Sequence, residues 1–291
     1  MTEGKGRVAV VTGASSGIGK AAAMALAAQG WRIIGVGRDP ARCDAAAAQI
    51  AAMATQGDVA MIRADLSRLA DAARAAREIA AITDRVDILI NNAGGMCTGQ
   101  VVTEEGLEES FAANHLGPFL LTQRLLPLLR AAAADAPAGS VRILVTASDA
   151  SEMTPGLIWD DLQLLDPTNF STGRAYCNAK LANVMFARGL AGRLADDGIV
   201  AHAMHPGIVG SNFFNHAPAD TRERTAALDK ATPEEGADTL VWLATAEEPG
   251  QTTGGYFHRR APRPPHAAAQ DDAQVDRLWA MSEALLAKAG Q

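Results

Sequence analysis

Aromatic side chains are scarce in this chain of 291 residues: two tyrosines, four tryptophans and seven phenylalanines make up 4% of it. Proteins that hold single-stranded nucleic acid use serial ring platforms, and none is present here. Excess positive charge is missing too, since 26 Lys and Arg against 33 Asp and Glu leave a formal net charge of −7. With no basic face to release counterions, the balance argues against a nucleic-acid partner. The three cysteines, Cys43, Cys97 and Cys177, lack metal-ligand spacing. Neither a disulfide framework nor a metal site is expected, and reduced thiols fit a cytoplasmic setting. No apolar run approaches the roughly 18 to 20 residues of a membrane span, and the N-terminal segment has no signal-peptide core.

What is present is alternation. Short apolar runs rich in β-branched residues, at 7–12, 32–36, 59–63, 86–90, 141–146, 200–204 and 255–257, alternate with helical stretches, many of them rich in alanine. That order predicts an α/β fold, a single doubly wound parallel β-sheet with helices on both faces, and the length suffices for one domain over 1–291. The first strand runs into Gly13-Ala14-Ser15-Ser16-Gly17-Ile18-Gly19 and then a helix. Such a turn cradles phosphate: Gly13 for the tight turn, Gly17 for close backbone approach and Gly19 for helix packing, with free N–H groups at the helix start. The spacing G-x-x-x-G-x-G departs from the commoner G-x-G-x-x-G, and an ordinary strand-to-helix loop is the alternative.

The second strand ends in Gly37-Arg38. An acidic residue at that point would bond the ribose 2′-hydroxyl of NAD, whereas glycine and arginine leave room and charge for the 2′-phosphate of NADP. A preference for NADP(H) is expected, with NAD(H) as the second cofactor and a solvated arginine as the plain alternative. Further on, Tyr176 and Lys180 stand at i and i+4 and share one helix face. An ammonium near a phenol favours phenolate, bringing a group of ordinary pKa ~10 toward useful acidity. The same spacing also arises by accident on many helices.

The glycine turn, Asp65-Leu66, Asn91-Asn92-Ala93-Gly94, Asn114, Ser148, the Tyr176/Lys180 pair and His205-Pro206-Gly207 resemble the short-chain dehydrogenase/reductase superfamily in order and spacing, across nearly the whole chain. The stretches at 114–122 and 175–184, with Gly255-Tyr256-Phe257 and Arg277-Leu278-Trp279, resemble its retinol-dehydrogenase and WW-domain-oxidoreductase branch. The resemblance implies a Rossmann fold and an oxidoreductase that interconverts a ketone or aldehyde with an alcohol. It casts Tyr176 as the proton donor or acceptor, Lys180 as its cation and ribose holder, Ser148 as the bond to the reacting oxygen, and Asn114 as holder of a backbone kink and a relay water. Ser151 competes with Ser148 for its role. For the cofactor it implies Asp65 and Leu66 at the adenine, Asn92, Ala93 and Gly94 along the adenosine ribose, Pro206, Gly207, Ile208 and Val209 at the nicotinamide, and Ser211 near the phosphates. Residues 1–140 would mainly hold cofactor, 141–257 would carry catalysis and substrate, and 258–291 would form an extension.

Substrate contacts are expected in the segments 149–172 and 208–232, with Met153, Trp159, Phe213 and Phe214 forming an apolar pocket for a largely apolar small molecule. His205 reads as a packed, hydrogen-bonded histidine, and Asp160 and Asp161 as members of a solvated loop. The basic, proline-rich run 258–266 reads as an extended surface segment, and the apolar stripe Val275, Leu278, Trp279, Leu285, Leu286 as a helix docked on the body or on a neighbour. In this superfamily the helices near 114–130 and 173–194 commonly form dimer surfaces, so a homo-oligomer is compatible with the sequence. Two other classes fit the fold: a cofactor-binding regulatory protein without turnover, and a nucleotide-sugar epimerase or dehydratase, which the G-x-x-x-G-x-G spacing disfavours.

Overall fold

The computed structural model describes residues 6–210, 217 and 219–291. Its centre is one eight-stranded sheet in the order β3-β2-β1-β4-β5-β6-β7-β8. The strands are β1 (Val8–Thr12), β2 (Arg32–Gly37), β3 (Val59–Arg63), β4 (Ile88–Asn91), β5 (Arg142–Thr146), β6 (Val200–Met204), β7 (Tyr256–His258) and β8 (Ala261–Pro262). Pairing is parallel from β3 to β7, and β8 alone runs antiparallel to its neighbour. Residues Val8 to Thr12 are all buried. That is what a parallel strand covered on both faces requires, and it explains the unbroken apolar runs.

The helices are α1 (Gly17–Ala28), α2 (Pro40–Met53), α3 (Leu69–Ile82), α4 (Glu109–Phe111), α5 (Gly117–Ala134), α6 (Thr172–Arg193), α7 (Ala219–Ala226), α8 (Pro233–Thr245), α9 (Ala267–Gln270) and α10 (Asp272–Lys288). One core cluster packs α1, α2 and α8 on one face of the sheet; the other packs α3, α5, α6 and α10. Starts are set by local chemistry. Asp39 accepts a bond from the Arg42 amide at 2.8 Å with Pro40 at the first position of α2, and Thr232 and Glu235 cap α8 reciprocally. Between β1 and its two neighbours, β2 and β4, the winding reverses, so the carboxyl ends of β1 and β4 part and leave a crevice.

One feature differs from the pattern read along the chain. The strand β8 forms because Arg259 and Arg260 take φ of 48° and 59°, making a tight hairpin without the glycine or asparagine that normally announces one. The run 258–266 lies on the surface, with His258 and Ala261–Pro262 joined to the sheet edge, and Arg260 pairs with Asp238. The terminal stripe docks on the body: Trp279 packs against Phe119 and Phe186, Arg193 lies 4.2 Å over its ring, and Ser282 meets the buried His115 ring at 2.9 Å. Helix α10 thus covers part of the α5 and α6 surface that the resemblance associated with dimers.

Candidate active site

A cavity of about 740 Å³ occupies the crevice. Its floor at one end is the glycine turn. Gly13 and Gly17 hold φ of 70° and 54°. A Cβ on Gly13 would stand 2.8 Å from Asn92 Nδ2, and one on Gly19 would stand 2.5 Å from both that atom and the Gly13 carbonyl oxygen. Side chains are therefore kept out by packing. Ser16, at the N-cap of α1, makes no capping bond with its side chain, which leaves first-turn N–H donors for a negatively charged group. Thr12 fixes the opposite wall: its Oγ1 accepts from the Asn92 and Ala93 amides at 2.9 Å each. The shape and donors fit a dinucleotide pyrophosphate.

Farther along the same cavity, Arg38 reaches Asp65 at 3.6 Å, and Asp65 accepts from the Ser67 amide and hydroxyl. Leu66 and Arg42 line the wall beside them. Gly37 does not leave open space: a Cβ there would meet Cys43 Sγ at 2.7 Å and Ser15 Cβ at 2.9 Å. Its smallness lets the glycine turn pack on β2, and the charge at this end comes from Arg38 and Arg42.

At the other end, Ser148, Tyr176 and Lys180 converge on the cavity. Ser148 begins a short 3₁₀ turn after β5, its Oγ accepting from the Ala150 amide at 3.2 Å and hydrogen-bonding the Tyr176 phenol. Ser151 points elsewhere; its Oγ donates to the Ser148 carbonyl at 2.7 Å and it is fully buried. Burial raises the Tyr176 phenol above its ordinary range, and the Ser148 bond pulls the other way. Lys180 is buried, its Nζ 5.6 Å from the ring centre of the half-buried Tyr176 and donating to the Thr146 carbonyl at 3.1 Å. Burial lowers its pKa to about 8. In the protein alone, desolvation of the phenol thus outweighs the expected pull toward phenolate.

Asn114 sits in a π-helical turn, Ala112–Leu116, inserted between α4 and α5. Its Nδ2 donates to the Ser110 and Gly95 carbonyls at 2.8 and 3.0 Å, and its Oδ1 accepts from the Gly95 amide at 3.0 Å. Gly94, at φ 157°, passes so close that a Cβ would collide with Asn114 Oδ1 and lie 3.4 Å from Lys180 Nζ. This kink places Asn114 beside the lysine. Ser15, Ile18, Pro206, Gly207, Ile208 and Val209 line the cavity too.

The substrate-side expectations fare unevenly. Met153 lines the cavity and is 76% exposed. Trp159 does not line it; Arg277 of α10 lies 4.6 Å over its ring and the indole packs against the core. Leu157 and Leu162 are buried in that same core. Ser211, Phe213 and Phe214 lie outside the described residues. Asp161 ties its own loop, accepting from the Leu165 and Asp166 amides. His205 is packed and bonded, its pKa drawn down to about 4 by burial despite Asp149. Sequence reasoning missed Arg42 and residues 96–98 on the cavity wall. Arg42 enters the wall from the first turn of α2, and its nearness to Arg38 in the chain could have suggested it; Asp149 falls within the segment 149–172 but carries no motif.

A doubly wound sheet with a phosphate cradle at its switch point, and a half-buried Ser and Tyr beside a buried Lys, defines a dinucleotide-dependent oxidoreductase architecture. Residues 7–158 match the family model described as short chain dehydrogenase, and the chain belongs to that family. It is 35% identical over 288 residues to retinol dehydrogenase 13 of Homo sapiens, covering 97% of this chain and 85% of that one. It is 38% identical to dehydrogenase/reductase SDR family member 13 of Homo sapiens, over 97% and 73% of the two chains. Among solved structures, the Pseudomonas aeruginosa RhlG/NADP active-site complex superposes with a TM-score of 0.70 at 30% identity, over 88% of this chain and 97% of that one. The protein is an oxidoreductase of the retinol dehydrogenase branch, acting between CH–OH and C=O with a nicotinamide cofactor.

Proposed function

We propose that this enzyme uses NADP(H) in preference to NAD(H) to interconvert a ketone or aldehyde and an alcohol on a largely apolar small molecule. The observation that carries the reading is the convergence of Ser148, Tyr176 and Lys180 on the cavity that also contains the glycine turn and Arg38. Bound there, the nicotinamide supplies or accepts the hydride.

Every other part belongs to the chain. The glycine turn and the start of α1 hold the pyrophosphate, Asp65 and Leu66 the adenine, and Asn92, Ala93 and Gly94 the adjoining ribose. Arg38, with Arg42 near it, meets the 2′-phosphate; a guanidinium forms charge-assisted bonds to phosphate that an NAD ribose cannot match. Pro206, Gly207 and Val209 line the nicotinamide end. Ser148 donates to the reacting oxygen and stabilises its growing charge. The Tyr176 hydroxyl gives that oxygen its proton in reduction and takes it back in oxidation. Lys180, held by the Thr146 carbonyl, keeps a positive charge beside the phenol, so that each unit of pKa it removes lowers the cost of phenolate by about 1.4 kcal/mol. Asn114 holds the loop past Gly94 and connects the lysine toward solvent. Met153 and Ile208 supply apolar surface at the mouth.

The test is NADPH oxidation over a panel of apolar ketones, aldehydes and small charged carbonyls, with wild type and Tyr176→Phe. Turnover of apolar carbonyls and its loss in Tyr176→Phe, with NADPH fluorescence still quenched on binding, is the expected result. Turnover confined to small charged carbonyls would sink the substrate class; full activity in Tyr176→Phe would sink the mechanism.

A further inference from the structure

The loop that starts at Ser148 is gripped from the far end of the chain. Arg263, just beyond β8, donates through Nη1 to Asp149 Oδ1 at 2.5 Å, and its guanidinium lies 5.4 Å over the Tyr256 ring. The Tyr256 hydroxyl donates to the Ser148 carbonyl at 3.2 Å. Asp149 meets His205 twice: its amide donates to Nδ1 at 3.1 Å, and Oδ2 lies 2.9 Å from Nε2. Because Nδ1 accepts, the neutral ring carries its proton on Nε2 and donates it to the carboxylate. His258 stacks on His205 at 4.7 Å between ring centres. Beyond the hairpin, the His266 amide donates to Glu152 Oε1 at 3.1 Å and its ring reaches the Thr154 carbonyl. The strap 256–266 therefore holds the loop 148–154 at both ends.

Stability alone does not account for this clasp. The Arg263 and Asp149 side chains are 31% and 56% exposed, and ion pairs that open to water contribute on the order of 0–1 kcal/mol. What the clasp fixes is orientation: Ser148 is the N-cap of the turn Asp149–Glu152, so a shift of Asp149 carries the Ser148 hydroxyl with it.

We propose that Arg263 is a positioning residue, which through Asp149 and Tyr256 sets the direction of the Ser148 hydroxyl against Tyr176. The inference rests on the role given to Ser148 under the proposed function. Small displacements of a catalytic group are expensive in rate, so Arg263→Met should lower kcat by about tenfold or more while the KM for NADPH stays within about twofold, since the strap does not touch the glycine turn.

The experiment is steady-state ketone reduction by Arg263→Met, Arg263→Lys, Asp149→Asn, Ser148→Ala and Ser148→Ala/Arg263→Met. The expected pattern is a kcat loss in Arg263→Met, substantial rescue in Arg263→Lys, and no further loss when Arg263→Met is added to Ser148→Ala. If Arg263→Met fails to fold, the isosteric Asp149→Asn weakens the same pair and must show the same dependence on Ser148. Unchanged kcat in Arg263→Met, or an equal loss with and without Ser148, overturns the inference. Ser148→Ala at full activity would instead remove the reading beneath it, and the two failures are told apart by that single variant.

Discussion

Lys180 and Asn183, neighbours on α6, donate to one acceptor: the Thr146 carbonyl oxygen lies 3.1 Å from Lys180 Nζ and 3.3 Å from Asn183 Nδ2. The end of β5 thus anchors the ammonium, and that anchor is buried. An ammonium without a carboxylate beside it carries the full cost of leaving water, which is why the Lys180 pKa falls to about 8.

The sign of the consequence for stability follows from proton counting. Between pH 8 and the ordinary lysine value, the unfolded chain binds a proton at this position that the folded chain has released, so stability attributable to Lys180 rises with pH across that window. Below pH 8 both states are protonated and the burial cost is present in full. Wild type should therefore gain stability relative to Lys180→Met as pH rises from 7.5 to 9.5, measured by urea melts at both values. A loss of wild-type stability relative to the variant over that range would contradict the assignment.

For activity the same group runs the other way. Since reduction needs the charged lysine beside Tyr176, kcat/KM for ketone reduction should fall as pH rises through about 8. Lys180→Arg, whose guanidinium stays charged, should have lower activity but no falling limb near that pH. A pH profile taken with both variants decides it.

Arg38 is 56% exposed and its partner Asp65 is 3.6 Å away. Breaking so open a pair should leave the melting temperature almost unchanged. Arg38→Ala should instead raise the KM for NADPH by about tenfold or more, the scale of one lost charge-assisted phosphate contact, with NADH kinetics unaltered. Equal effects on the two cofactors would remove Arg38 from the 2′-phosphate.

How far the sequence reached depended on distance along the chain. The glycine turn and the Tyr176/Lys180 pair were legible because their geometry is local: a strand running into a helix, and one helical turn. The doubly wound parallel sheet followed from alternation of patterns. Trp159 was not legible as a side chain packed on the core, because one of its partners, Arg277, arrives only with the last helix. The hairpin closed by Arg259 and Arg260 was invisible because neither residue type signals positive φ. Gly37 was read for the space it leaves, but the atoms that fill that space belong to Cys43 and Ser15, which neighbour it only after folding. The π turn around Asn114 also has no local code, since its insertion is stabilised by the loop at Gly95.

That turn yields the last prediction. Asn114 makes three hydrogen bonds with Gly95 and Ser110 backbone atoms while wholly buried. Asn114→Ala leaves the Gly95 amide and the Ser110 and Gly95 carbonyls short of a partner, and each buried group left unsatisfied costs about 1–3 kcal/mol unless water enters. Asn114→Asp keeps an acceptor for the Gly95 amide but turns a carboxylate oxygen toward two carbonyls, where it can accept nothing. The aspartate variant should therefore be at least as unstable as the alanine variant near neutral pH, and should recover toward it as the pH is lowered and the carboxyl gains a proton to donate. Denaturant midpoints for both variants at pH 5 and pH 8 test this ordering. An aspartate variant as stable as wild type at pH 8 would show that the amide nitrogen does not hold the kink.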